Sequence, residues 1–240
     1  MTSAPDVTDP RPVRWGLGDA WLGLLIANAA ALIGGVVILA VTANTGTDSE
    51  ELPLNVIALL QLPLWAGYLT MPLVAARRKG NGVIADFGLR VRPWDVPAGL
   101  AIGVLSQVVL VPLVYLPIFQ IIGERDVSAD ARALTDRAED PFGVALLILV
   151  VVVGAPIVEE LFFRGLLLRS AERRWGSVWA VIVSSLVFGA VHLQPLQFPA
   201  LVAVGVVFAL LALRTGRLGP SIFAHIGFNA VAVGSLLAAR

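Results

Sequence analysis

The sequence predicts an all-α fold, a polytopic transmembrane helical bundle of about seven spans (six to eight), with the N-terminus cytoplasmic. Three observations carry this. Of 240 residues, 58% are hydrophobic and only 14% are charged, against about 25% charged in an ordinary soluble domain. A soluble core of this size would need more polar residues to cover it, and the mean hydropathy is +0.86. Finally, the apolar residues fall in runs bounded by charges, each near the roughly 20 residues that cross about 30 Å of hydrocarbon.

Seven such runs are legible, at 21–43, 54–76, 96–122, 142–168, 178–193, 199–213 and 220–239. The first is too long for a typical cleaved signal peptide and lacks a small-residue cleavage site, so it reads as a true span. Residues 1–20, with Pro5, Pro10 and Pro12, read as a mobile cytoplasmic tail. Residues 21–140 then form the N-terminal transmembrane helices and loops, and 141–240 a core that carries the chemistry. Basic residues alternate between loops. Arg77, Arg78, Lys79, Arg90 and Arg92 follow the second run, Arg169, Arg173 and Arg174 the fourth, and Arg214 and Arg217 precede the last, whereas the first loop carries Asp48, Glu50 and Glu51. The positive-inside rule places the basic loops in the cytoplasm, and a cell (plasma) membrane location is expected.

The polar stretch 124–140 reads as a solvated loop, with a short helix over 130–138 as the lesser alternative. Small residues such as Gly99, Gly103, Gly34 and Gly35 suit close helix packing, and the tryptophans at 15, 21, 94, 175 and 179 suit interfacial anchoring. The chain has no cysteine, which removes thiol nucleophiles and cysteine-based metal sites. With 17 basic and 17 acidic residues the net charge is zero, and nothing suggests a nucleic-acid partner.

The informative residues are the ionisable ones inside apolar runs, because each costs about 2.5–3.5 kcal/mol to insert at mid-membrane. The fourth run carries Glu159, Glu160 and Arg164; the fifth carries His192; the seventh carries His225 and Asn229. The two histidines are the only ones in the chain. At 1.5 Å per residue, Glu160, His192 and Asn229 lie roughly 18–22 Å from their basic boundaries, with His225 at roughly 12 Å. One polar site, open toward the cytoplasm, would satisfy all of these depths. Glu160 and Arg164, four apart, share a helix face and are expected to pair. Glu159 points about 100° away and is the carboxylate left free for chemistry. His225 and Asn229 share a face of their own, where two donors could stabilise an oxyanion. Pro156, with Gly154, should loosen the helix just ahead of the glutamates.

At these residues the chain resembles the CPBP family of CAAX proteases and bacteriocin-processing (Abi) enzymes. Glu159-Glu160-x-x-x-Arg164, Phe188-x-x-x-His192 and His225-x-x-x-Asn229 stand intact and in order. The resemblance covers about 141–239, and Phe87-Gly-Leu-Arg90 also looks like family members. It implies an intramembrane glutamic endopeptidase. In that analogy Glu159 and His192 activate water, His225 and Asn229 form the oxyanion hole, and Glu160 with Arg164 organises the site. It implies no metal and no cofactor, and as partners the lipid bilayer and a membrane-associated peptide or protein substrate. Composition suggests a bacterial chain, in which prenylated substrates are not expected. The same polar cluster would alternatively serve a proton-coupled transporter, or hold together an inactive scaffold or immunity protein.

Overall fold

The computed structural model describes residues 12–240. Among the described residues the regular structure is entirely helical: α1 (Leu17–Val41), α2 (Leu54–Lys79), α3 (Val83–Phe87), α4 (Asp95–Ile122), α5 (Ala129–Asp136), α6 (Pro141–Val191), α7 (Phe198–Thr215) and α8 (Gly219–Ala238). All but α3 and α5 are long and apolar enough to cross a membrane. In hydrocarbon every backbone N–H and C=O must be satisfied within its own segment, which a helix does. Large apolar side chains accordingly face outward, with Leu32 72% and Ile121 85% exposed. In water such a surface would aggregate; against lipid it costs nothing.

Helix α6 is 51 residues long, which straight would measure about 75 Å, more than twice the hydrocarbon thickness. It breaks at Gly176, whose φ of 80° and ψ of 169° no helix contains. The halves fold back on one another: Phe188, twelve residues after the break, meets Phe163 at 5.4 Å and the Arg164 guanidinium at 4.3 Å, thirteen and twelve residues before it. Residues 141–175 are thus a first arm and 177–191 a return arm. Counting the two arms of α6 separately turns the six helices long enough to span into seven apolar segments, in line with the runs, although the first arm continues well past 168.

The spans pack through small residues. Helix α4 lies along α8, and a Cβ at Gly103 would sit 2.0 Å from the Ala224 carbonyl oxygen, so only glycine permits this approach. The basic-loop face is stapled by polar contacts. Arg217 donates to both oxygens of Asp95, at 2.6 and 3.2 Å. Leu218 N–H donates to the Gly88 carbonyl, and Gly219 N–H to that of Arg90. The Phe87-to-Arg90 stretch is therefore the strap that docks α8, with Phe87 fully buried.

Three expectations are corrected here. The tail predicted over 1–20 lies partly outside the described residues, but Trp15 is buried and α1 already begins at Leu17. Nor does Trp15 anchor an interface: Arg173 lies over its ring at 3.6 Å and donates to its carbonyl, while its indole N–H donates to Asp86. A cation–π contact and a hydrogen bond outweigh interfacial hydration for this ring. Third, 124–140 is more than a solvated loop. It contains α5, whose Thr135 is buried and whose Leu134 packs on the core formed by Leu147, Val152 and Val233. Apolar residues at helical spacing were masked in the sequence by the surrounding charges. Arg137 clamps this helix to the first loop through the carbonyls of Ser49, Glu50 and Leu52.

Candidate active site

The first arm of α6 is irregular where its chemistry lies. Wide π-type turns over Ile148–Gly154 and Glu160–Leu167 flank a regular turn, Ala155–Glu159. Pro156 has no N–H to give and its ring crowds the carbonyl one turn earlier, so the ladder loosens as expected. The Val151 carbonyl in the first wide turn accepts instead from the Asn229 amide, at 2.8 Å.

Glu160 and Arg164 pair as predicted, with Nη1 donating to Oε1 at 2.9 Å and both side chains fully buried. The same Oε1 lies 3.1 Å from His225 Nδ1. Arg164 also donates to the Gly205 carbonyl, and its guanidinium lies over Phe188 and Phe208. Phe208 in turn stacks on His225, 4.8 Å between centroids. Glu160 therefore orients the imidazole as well as neutralising the arginine.

Glu159 turns the other way. Its Oε2 is 3.8 Å from His225 Nε2, and it makes no hydrogen bond within the described residues, its side chain being 17% exposed to a cavity. That cavity, about 460 Å³, is lined by Glu159, His192, His225 and Asn229 together. His192 Nδ1 sits 2.7 Å from the Phe188 carbonyl. Since a carbonyl can only accept, Nδ1 carries the proton and Nε2 keeps a lone pair able to take one. The same logic at His225 puts a proton on Nδ1, facing Glu160. Nε2, on the cavity side, is then a donor only in the imidazolium form. Among the described residues, no three His, Asp or Glu side chains converge closely enough to hold a metal ion.

The six residues singled out in the sequence meet in one place, but the approach to them differs from the one expected. The cavity lies among the helix ends opposite the basic loops, under α5 and beside Gln194 and Gln197. Toward the basic loops the way is filled by Phe162, Phe163, Leu166, Leu167 and Phe208, all essentially inaccessible. The expected opening toward the basic, cytoplasmic side is thus not what the structure has; residue depth along a helix does not reveal which end is plugged. Sequence reasoning also missed Tyr68, whose ring packs on Phe162 and Phe163 at the cavity wall. It missed the glutamines Gln61, Gln194 and Gln197 as well. Weighing uncharged polar residues inside apolar runs would have flagged Gln61.

Residues 141–231 match the family model described as type II CAAX prenyl endopeptidase Rce1-like. Over this stretch the chain is similar to the CAAX proteases that the model describes. The chain is also 30% identical over 153 residues to YdiL, a candidate membrane peptidase of Bacillus subtilis (strain 168). That alignment covers 64% of this chain and 59% of the relative, so the chain spans about three-fifths of the curated relative's length. No solved structure matches it. The matched stretch contains Glu159, Glu160, Arg164, His192, His225 and Asn229, and all of α1 to α5 falls outside it.

Proposed function

We propose that this multi-pass protein is an intramembrane glutamic peptidase that hydrolyses a peptide bond of a membrane-associated substrate. The observation that carries the reading is the hydrogen-bond-free Glu159 carboxylate, facing the same cavity as His192, His225 and Asn229. Glu159 and His192 Nε2 take a proton from water, and the resulting hydroxide forms a bond to the scissile carbonyl carbon. The oxyanion is met by the second N–H of Asn229 and by His225, which Glu160 holds in place. Collapse breaks the C–N bond, and the proton held by Glu159 or His192 passes to the leaving amine.

The basic loops favour a cell membrane location with the N-terminus in the cytoplasm. In that orientation the cavity faces the extracytoplasmic side. A proton-coupled transporter needs a polar route onward to the other face, and the buried aromatic and leucine layer beyond Arg164 speaks against one. The test is co-expression of wild type or Glu159→Gln with membrane-anchored peptide reporters, read by mass spectrometry. Cleavage by wild type that vanishes in the variant, at equal membrane abundance, is expected; equal cleavage by both would remove the assignment.

A further inference from the structure

The candidate site is not the only space on its side of the membrane. A groove of about 600 Å³ runs along the lipid-facing flank of α4, lined by Gln107, Val111, Tyr115, Leu116, Phe119 and Ser128. A narrower passage of about 120 Å³ shares Gln107, Val111, Tyr115 and Ser128 with that groove. The same passage shares Ala131, Gln197, Leu201, Phe228 and Ala232 with the cavity that holds Glu159. The three spaces therefore adjoin one another, from exposed Leu116 at the lipid to the carboxylate, beneath α5 and between α4, α7 and α8. One hydrogen bond straps the passage, Tyr115 Oη donating to the Leu196 carbonyl at 2.7 Å.

The walls say what would fit. They are mostly apolar, yet Gln107, Gln197, Gln194 and Gln61 line this path without any side-chain hydrogen bond among the described residues. An amide in an apolar wall is expensive unless something pairs with it. A hydrocarbon chain offers no partner, whereas an extended peptide offers an N–H and a C=O at every residue while its apolar side chains meet the remaining wall. Gln107 lies some 22 Å along α4 from the helix end at Ile122, counted at 1.5 Å per residue, near the middle of that span.

Resting on the peptidase reading, we infer that an apolar segment of the substrate polypeptide reaches the site sideways from the lipid, through the groove on α4 and the passage under α5. The glutamine amides hold its backbone and the Tyr115 to Leu196 strap gates it.

The probes are randomised ten-residue peptides fused to a single polyleucine span in proteoliposomes, and the same peptides without the span. In Val111→Trp, a bulky ring fills the junction of groove and passage. Cleavage of the span-bearing peptides should fall about tenfold in kcat/KM, while that of the free peptides changes less than about twofold. Equal cleavage of both classes by this variant and wild type overturns the lateral route and leaves the peptidase reading standing. Wild type that cleaves neither class overturns both. Independently of any effect of the tryptophan on folding, a photoreactive residue at Leu116 in the Glu159→Gln background should crosslink to the span-bearing peptide. The same probe at Leu32, exposed on α1, should not. Equal crosslinking from the two positions would also overturn the route.

Discussion

Glu159 and Glu160 are neighbours in sequence, yet the structure assigns them opposite consequences on mutation. Glu160 Oε1 holds both the Arg164 guanidinium and His225 Nδ1, with no exposure to solvent. In Glu160→Gln the amide oxygen can keep one or both of those contacts, but the new NH2 must then occupy the place of Oε2, which has no partner. The variant thus buries an unsatisfied donor and leaves a guanidinium uncompensated. Removing one member of a buried pair costs about 3–5 kcal/mol. The retained oxygen argues for the lower end, about 3 kcal/mol, or a fall in Tm of about 6–12 °C for a chain of this size. Glu159→Gln breaks no hydrogen bond, so its Tm should stay within about 2 °C of wild type. The assay is thermal unfolding in one lipid nanodisc preparation, read by tryptophan fluorescence, beside cleavage at a temperature where both variants are folded. A Glu160→Gln protein as stable as wild type, or a Glu159→Gln protein equally destabilised, would refute the division of roles. Adding Arg164→Met to Glu160→Gln should recover part of the lost stability, because the uncompensated charge goes with it.

Other outcomes follow from single contacts. Phe208→Ala removes the ring stacked on His225; cleavage should fall more in kcat than in KM, together with about 3–5 kcal/mol of stability from the cavity left behind. Gly103→Ala drives a Cβ into the Ala224 carbonyl, prying α4 from α8 at about 1–3 kcal/mol or more, measurable as lowered Tm. Gly176→Ala places a side chain at φ 80° and should cost about 1–2 kcal/mol, seen as reduced folded yield at unchanged specific activity. Cleavage should survive chelators; loss on chelation that zinc restores would point to a metal mechanism instead.

Much of the architecture was readable because hydrocarbon is an undemanding solvent to predict for. It asks for runs of about 20 apolar residues and penalises every charge within them, so the spans and the six site residues stood out by position alone. The pairing of Glu160 with Arg164 was legible for the same reason, since helical spacing makes it nearly unavoidable. The glutamines and Tyr68 were not. An uncharged polar residue is only mildly out of place in a span, and which way it faces depends on neighbouring helices. Helix α5 was legible only as the lesser alternative, because its few buried positions sit among charges that do belong to water.

By itself, then, the sequence determined that the chain is a polytopic helical bundle, where its apolar runs lie, and which side chains are too costly to be there without a task. Only the tertiary structure decided what those side chains do to one another. Folding at Gly176 brings Phe188 and His192 back to Arg164; α8 places His225 between two carboxylates; and a packed aromatic layer closes one face while α5 covers the other. These are contacts between segments tens of residues apart, fixed by packing in three dimensions, and no periodicity along one chain encodes which end of a buried cluster stays open.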